Sequence, residues 1–313
     1  MPIEDILELE IPQNCAGLRL DQALAQLLPT HSRNRIQMWV LAKRITIDDL
    51  NANSKRTVWG GENIKIRTIA HRNETTNIAE PLDLNIVYED QAILIINKPA
   101  GMVVHPGNGN WQGTMLNGLL HYSSKLEEVP RAGIVHRLDK NTSGLLVVAK
   151  TLEAQTNLVR QLQNRTMKRD YLALVHGDVQ FGGQVNAPIG RHPVQRVKMA
   201  VNKKGKEART YYLVKEKING YTLLQCSLDT GRTHQIRVHM LSIGHPLVGD
   251  PTYGTKPKKS SQEIRKLITD FPRQALHAKY LELIHPDTGQ KVMWESKLPK
   301  DIDELLLTLR EAS

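Results

Sequence analysis

Three short polar segments of the sequence border apolar stretches and carry residue types that can do chemistry. They are GIVHRLDKNTSG (133–144), KRDYLALV (168–175) and TGRTHQIRVH (230–239). The first packs His136, Arg137, Asp139 and Lys140 between two predicted strands. An uncompensated charge at the buried end of a sheet is costly, so we expect these groups to have partners.

Each of these segments also has an ordinary structural explanation. Asp139 could be a turn aspartate or one half of an ion pair, and Arg237 could be a helix arginine that pairs with any acid. Tyr171 could be a core or edge aromatic residue. Residue types alone therefore leave structural and chemical roles open.

The familiar metal and cofactor motifs are missing from the sequence. His234 and His239 are five residues apart, about 140° around a helix, so they would not share a face. There is no Cys-x-x-Cys, His-Glu-x-x-His, Walker loop or Gly-x-Ser-x-Gly, and GNGN (107–110) lacks the third glycine of a dinucleotide loop. We therefore expect neither a metal ion nor a cofactor.

Five segments resemble the RluA/RluD-type RNA pseudouridine synthases, in the order that the family has them. They are NKPAGMVVHPG (97–107), HRLDKNTSGLLVVAK (136–150), TGRTHQIRVHM (230–240), HPLVGDPTYG (245–254) and RQALHA (273–278). RHPVQRVKMAV (191–201) and FPRQALHA (271–278) are most similar to the RluD branch, which modifies 23S ribosomal RNA. The resemblance covers most of residues 82–300. It implies an isomerase that breaks the C1′–N1 bond of uridine and rejoins the uracil through C5.

The resemblance also implies roles for four residues. Asp139 would be the catalytic carboxylate, and Arg237 would keep it ionised inside a dry pocket. Tyr171 would stack on the extruded uracil, and Arg137 would fill the space that the base leaves in the RNA. A phosphate contact is the alternative for Arg137. Whether Asp139 attacks C1′ or removes the 2′ proton stays open.

Periodicity around these residues predicts an α+β protein: a small α+β module followed by a mainly antiparallel, mixed-sheet domain. Alternating and apolar runs predict strands at 84–88, 92–97, 134–135, 145–149, 171–175, 211–215, 221–228, 278–284 and 291–295. Helical spacing predicts helices over 151–165, 233–243 and 302–309.

The polar stretch 69–81 lacks apolar periodicity and ends in Pro81, which predicts an interdomain linker. Residues 1–70 before it are predicted to form two short helices followed by short strands. They resemble an S4-type RNA-binding domain through LRLD (18–21), SR (32–33) and KRITI (43–47). Lys43 and the pair Asp48–Asp49 stand where that pattern usually has Gly and Asn-Gly. Residues 82–313 would be the catalytic domain.

Composition indicates a basic protein without a membrane segment. Lys and Arg number 42 against 32 Asp and Glu, a net charge of +10 that favours a polyanionic partner. The excess is concentrated in 160–169, 191–209 and 256–273. Two cysteines cannot form a disulfide framework, and no apolar run approaches the ~20 residues that span a bilayer. The acidic start, MPIEDILELE, is unlike a secretory signal. We expect a cytoplasmic location.

The expected partner is 23S ribosomal RNA or a large-subunit precursor particle, bound by a monomer at uridines of the stem-loop that faces the decoding centre. The same chemistry on transfer RNA or at other ribosomal RNA sites is an alternative. A second alternative is a non-catalytic RNA-binding factor in ribosome assembly. A glycosidase is disfavoured because its chemistry uses two carboxylates and the signature offers one.

Overall fold

The computed structural model describes residues 4–28, 33–69, 78–107, 110–255 and 261–312. The chain divides into two units, Met1–Thr76 and Asn77–Ser313. Residues 70–77 of the predicted linker lie outside the described residues. The end of that stretch is part of the second unit, because the Asn117 side-chain amide donates to the Ile78 carbonyl and the Gly113 N–H donates to Glu80.

The first unit is a four-stranded antiparallel sheet with two helices. In chain order its elements are β1 (Glu4–Glu10), α1 (Leu20–Leu27), α2 (Arg33–Leu41), β2 (Ile45–Ile47), β3 (Leu50–Asn51) and β4 (Asn63–Ile69), and the strand order is β1-β4-β2-β3. The two helices and the strands after them occur as predicted, whereas β1 was not predicted. Apolar side chains of both helices and of β2 and β4 form the core.

Two turns of the first unit adopt left-handed backbone conformations at residues other than glycine. Lys43, after α2, has φ 55°, and Asp48 and Asp49 between β2 and β3 have φ 49° and 64°. Two positive φ values in a two-residue hairpin are those of a type I′ turn, which usually contains Asn-Gly. Asp48 compensates by accepting the Asn63 N–H at 3.0 Å, and Asp49 pairs with Lys65 at 2.7 Å. The turn geometry is therefore kept without glycine.

The second unit is built on a nine-stranded mixed sheet. Its strands are β5 (Ile86–Glu89), β6 (Ile93–Lys98), β7 (Ser143–Ala149), β8 (Lys168–His176), β9 (Gly183–Asn186), β12 (Arg209–Ile218), β13 (Tyr221–Leu228), β14 (Leu276–Ile284) and β15 (Lys291–Glu295). A separate hairpin contains β10 (Ile189–Arg191) and β11 (Met199–Val201), and the helices are α3 (Met115–Tyr122), α4 (Leu152–Gln163), α5 (Gln235–Ser242), α6 (Gln262–Asp270) and α7 (Lys300–Glu311).

The order of the large sheet is β5-β6-β7-β14-β8-β13-β12-β9, with β15 paired to β14. Among the described strands β7 and β14 are parallel and the other pairs are antiparallel, so the predicted α+β class with a mainly antiparallel sheet is confirmed. Helices α3 and α5 pack on one face, and α6 and α7 pack on the other. Side chains of β8 alternate between these two cores.

Some elements differ from the prediction. The predicted strand at 134–135 is a single bridge between Ile134 and Val148. The chain turns just before it, where Arg131, Ala132 and Gly133 have φ 57°, 50° and 77°, so no ladder can form there. Helices α3 and α6 and the short hairpin were not predicted. None of the helices in the described ranges combines the length and the hydrophobicity that a membrane span requires.

A buried histidine ties β14 to the start of β7. His277 is 1% exposed, and its ring bonds the hydroxyls of Ser143 and Ser296. Burial, with the charges of Lys279 and Arg273, lowers the pKa of His277 to about 4. The unfolded chain therefore takes up a proton below about pH 6.5 that the folded protein does not bind.

We expect the free energy of unfolding to decrease as the pH is lowered below the pKa that histidine has in the unfolded chain. Between pH 7 and pH 5 the wild type should lose about 2 kcal/mol more than His277→Gln, which cannot titrate. Urea unfolding of both proteins at the two pH values measures the difference. Equal losses would mean that His277 is not held neutral by its surroundings.

Candidate active site

A tight turn just before β7 carries Asp139. The Thr142 N–H donates to the Asp139 carbonyl at 3.0 Å. Two groups from the end of β6 and the loop after it hold the next carbonyl, that of Lys140: the Gly101 N–H at 2.9 Å and the Lys98 ammonium at 3.0 Å. The Asp139 side chain is 16% exposed, so it is open to a ligand but shielded from most of the solvent.

Gly144 allows this turn to meet the sheet. It has φ 115°, and a Cβ there would lie 2.2 Å from the Ala278 carbonyl oxygen. The strands β7 and β14 pair in parallel at this point, with Ser143 opposite His277 and Gly144 opposite Ala278. The position of Asp139 thus depends on a close backbone approach that a side chain at residue 144 would prevent.

The buried ammonium group of Lys98 supports the turn that carries Asp139. Lys98 has no exposed surface, and its Nζ donates to the carbonyls of Pro99, Met102 and Lys140 at 2.8, 3.0 and 3.0 Å. Burial lowers the pKa of Lys98 to about 7, and the negative charge of Asp139 opposes that shift. Lys98 therefore joins the loop after β6 to the Asp139 turn.

A guanidinium connects Asp139 to a second carboxylate. Arg237, on α5, donates from Nη1 to Asp139 Oδ2 at 3.0 Å, and from Nε and Nη2 to the two oxygens of Asp250 at 2.6 and 2.8 Å. Arg237 is 4% exposed, and the Asp250 side chain is fully buried. The structure thus brings Asp139 and Arg237 into direct contact, and Asp250 fixes the guanidinium in a bidentate pair.

Backbone N–H groups that follow Asp250 in the sequence fix the position of its carboxylate. Its Oδ1 accepts the N–H groups of Thr252 and Tyr253 at 2.8 and 3.0 Å, and the Tyr253 ring centre lies 5.0 Å from the Arg237 guanidinium carbon. Burial alone would lower the pKa of Arg237, but the hydrogen bonds and charges of Asp250 and Asp139 raise it. Arg237 is therefore a permanent cation beside Asp139.

His234 lies on the other side of the Asp139 carboxylate. It stands at the N-terminus of α5 with φ 57°, outside the helix, and its Nε2 is 4.0 Å from Asp139 Oδ1. The Met199 N–H donates to the Tyr253 hydroxyl at 2.8 Å, which leaves the hydroxyl proton for His234 Nδ1 at 2.9 Å. Burial lowers the pKa of His234, and Asp139 opposes the shift. The ring is thus held in place by Tyr253.

Loss of the Tyr253 hydroxyl should loosen this arrangement. We expect Tyr253→Phe to lower the free energy of unfolding by about 1–2 kcal/mol, because the Met199 N–H and His234 Nδ1 lose their partner. Urea unfolding measures the change. Tyr122→Phe, which removes an exposed hydroxyl bonded to Glu89, is the matched control and should change stability by less than about 0.5 kcal/mol. Equal effects of the two variants would contradict the role of Tyr253.

A cavity of about 1020 Å³ opens beside Asp139 and is lined by all four of the predicted site residues. Tyr171, on β8, is 5% exposed and belongs both to the cavity wall and to the core. Burial raises the pKa of the Tyr171 hydroxyl, which is therefore protonated at neutral pH. Arg137 is exposed, and no residue that the structure describes forms a side-chain hydrogen bond or ion pair with it. The cavity has room for a nucleotide and its neighbours.

The cavity wall is strongly positive. It contains two carboxylates, Asp139 and Asp229, against the cations Arg131, Arg137, Lys140, Arg165, Arg169, Arg232 and Arg237. Of the three basic clusters in the sequence, 160–169 contributes to this wall, and 191–209 does not. A positive, concave surface concentrates polyanions, so the site suits a nucleic acid.

Asp250, Tyr253, Lys98 and Arg169 were not singled out from the sequence, although the first three lie in segments that resemble the family. An acid in HPLVGDPTYG was the available signal for Asp250. The spacing of His234 from His239 bears only on metal binding and does not predict the position of His234 beside Asp139. Within the described ranges no group of three His, Cys, Asp or Glu side chains is placed to hold a metal ion.

The chain is similar to known proteins over most of its length. The family described as RNA pseudouridylate synthase matches residues 92–242. The ribosomal large subunit pseudouridine synthase D of Nitrosomonas europaea is 58% identical over 98% of this chain and 89% of its own, and that of Pseudomonas aeruginosa is 50% identical over 96% and 95%. The solved structure of human RNA pseudouridylate synthase domain containing 4 has a TM-score of 0.58 and 26% identity, over 72% of this chain and 93% of its own.

Proposed function

Because the chain belongs to the RNA pseudouridine synthase family and is an RNA pseudouridine synthase, we propose that it acts on the ribosomal RNA of the large subunit. The proposed substrate rests on relatives named as large-subunit pseudouridine synthases that match nearly the whole chain. The structural observation that carries the proposed mechanism is the Asp139–Arg237 pair in a positively charged cavity.

In the proposed mechanism Asp139 acts on the ribose of the target uridine. The C1′–N1 bond breaks, the uracil turns, C5 bonds to C1′, C5 loses its proton and N1 gains one. No group is imported and no electron is transferred to another molecule. The developing positive charge at C1′ needs a carboxylate, as in glycoside chemistry, and Asp139 serves either as nucleophile or as base for the 2′ proton. Arg237 orients that carboxylate through the hydrogen bond from its Nη1.

Tyr171 and Arg137 are proposed to handle the flipped nucleotide. The Tyr171 ring lines the cavity and offers a face for the uracil, a contact worth about 1–3 kcal/mol. Arg137 is exposed at the same cavity, two residues before Asp139, and can enter the RNA stack that the base leaves. Both contacts offset the few kcal/mol that base flipping costs.

The first unit is proposed to be an S4-like RNA-binding domain. Its two helices and short strands fit that resemblance, and its turns keep the required left-handed φ values without glycine. The finer target that we propose is the stem-loop facing the decoding centre in 23S RNA or in a precursor particle, modified by a cytoplasmic monomer. Folded stem-loops expose single-stranded bases for sequence-specific contacts.

Carbodiimide mapping of pseudouridine tests the target. An unmodified transcript of large-subunit ribosomal RNA and a pool of unmodified transfer RNA transcripts are incubated separately with the full chain. We expect new reverse-transcription stops in the ribosomal stem-loop and none in transfer RNA. Stops only in transfer RNA would overturn the ribosomal target, and stops elsewhere in the ribosomal transcript would overturn the stem-loop alone.

A further inference from the structure

A buried arginine of the second unit, Arg169, has no carboxylate partner among the described residues. Arg169 is 6% exposed, yet no carboxylate oxygen among the described residues lies within 4.0 Å of its guanidinium. Its one described side-chain hydrogen bond runs from Nη2 to the Leu228 carbonyl and is long, at 3.4 Å. Its Nε is buried with no acceptor. The nearby acid Asp229 instead lies 3.6 Å from Arg209.

The other two arginines that are buried in the described ranges each have a carboxylate partner. Arg237 is bound in a bidentate pair by Asp250, and Arg273 is bound in the same way by Asp301. A buried charge without such a partner is destabilising, because it loses its hydration and gains no Coulomb energy in return. Arg169 therefore has spare hydrogen-bond donors at a position where the fold alone does not need a charge.

The position of Arg169 indicates what these donors face. Arg169 and Tyr171 are two residues apart on β8, so their side chains project from the same face of the strand, about 7 Å apart along it. Both line the cavity that contains Asp139. Gly231 also lines it, and a Cβ there would lie 2.9 Å from Arg169 Nη1, so the absence of a side chain makes room for the guanidinium.

We propose that Arg169 binds a backbone phosphate next to the flipped uridine. The phosphate supplies the counter-ion that Arg169 lacks in the cavity wall. This inference rests on the proposed function. The planar guanidinium matches two phosphate oxygens, and the separation along β8 between Tyr171 and Arg169 suits a base on the ring and its own sugar-phosphate on the cation. Arg169 is thereby a binding residue that fixes where along the RNA the target base enters.

The test compares Arg169→Met, Arg169→Lys and the wild type. Each full-length protein is titrated with an unmodified large-subunit ribosomal RNA transcript at several KCl concentrations, and tritium release from the same RNA labelled at uridine C5 gives turnover. We expect Arg169→Met to weaken binding about 10- to 100-fold and to reduce the salt slope by about 0.7 to 1, the value of one phosphate contact. Arg169→Lys should keep most of the slope, because it keeps the charge.

Stability separates this role from a structural one. An unpaired buried cation replaced by an apolar side chain of similar length should not lower the melting temperature, so we expect Arg169→Met to melt at or above the wild-type temperature. Lys300→Met removes a cation that is 88% exposed on α7 and should change neither slope nor turnover. An unchanged salt slope in Arg169→Met, or a lower melting temperature for it, would overturn the inference.

The same experiment distinguishes this inference from the proposed function. If the wild type releases tritium but Arg169→Met keeps the wild-type slope, the phosphate site is wrong and the enzyme assignment to ribosomal RNA stands. If the wild type releases no tritium from this RNA, the proposed ribosomal target fails, and the phosphate site, which rests on it, fails with it.

Discussion

Asp139→Asn should reduce the release of tritium from C5-labelled ribosomal RNA by at least about 10⁴-fold while RNA binding stays within about threefold of the wild type. The amide has the size of the carboxylate and can still accept from Arg237 Nη1, so the turn keeps its geometry. What it lacks is the negative charge, and with it the nucleophilicity and basicity, that let a carboxylate stabilise C1′, attack it or take the 2′ proton. Arg237 remains paired with Asp250, so we expect little change in folding.

The matched control is Asp229→Asn. Asp229 is the second carboxylate of the same cavity wall, and its nearest cation is Arg209 at 3.6 Å rather than Arg237. We expect this variant to keep turnover within about tenfold of the wild type. An Asp139→Asn protein that turns over RNA at the wild-type rate would show that the carboxylate does no chemistry.

The pair of measurements also separates the enzyme from a catalytically silent assembly factor. A protein that only binds ribosomal RNA would show no difference between Asp139→Asn and wild type in any activity, because its function would not depend on the Asp139 carboxylate. Loss of tritium release with intact binding is a result that only catalysis at Asp139 explains. The two readouts together are therefore more informative than either one.

The sheet was more predictable from the sequence than its connections. Strands β8 and β13 were predicted correctly because their apolar residues alternate along the strand or form a continuous run buried on both faces. Both patterns can be recognised from residues that are neighbours in sequence. The strand predicted at 134–135 was wrong because Arg131, Ala132 and Gly133 turn the chain before it, and Arg131 and Ala132 are residue types that rarely adopt a positive φ. Helix α6 was missed although Ile264 and Ile268 share its buried face, because the stretch is also rich in charge.

The contacts within the candidate active site were also not predictable from local sequence patterns. Asp139, Tyr171 and Arg237 are distant in sequence, and residue types alone left each with a structural explanation; the resemblance was needed to expect them together. Asp250 was missed because its role depends on a contact with Arg237 across thirteen residues. Arg169 was missed for a different reason. Its distinguishing feature is the lack of a carboxylate partner among the described residues, which only the three-dimensional structure can show.

Replacement of Arg237 should cause the second largest loss of turnover. In Arg237→Met the fully buried Asp250 keeps the Thr252 and Tyr253 N–H groups but loses its only described cation, and Asp139 loses the charge 3.0 Å away. Breaking a buried ion pair in this way costs about 3–5 kcal/mol of stability. We expect turnover to fall at least about 10³-fold, since two unit charges about 4 Å apart interact by about 4 kcal/mol near a protein surface.

A double variant separates the two consequences. Arg237→Met with Asp250→Asn removes the buried carboxylate together with its cation, and the amide oxygen still accepts the Thr252 and Tyr253 N–H groups. We expect urea unfolding to show that most of the lost stability returns, while tritium release stays at least about 10³-fold below wild type, because Asp139 still lacks its cation. If turnover returned along with stability, Arg237 would be only a scaffold for Asp250, and the electrostatic support of Asp139 would have to come from Lys98, the other buried cation whose charge acts on that carboxylate.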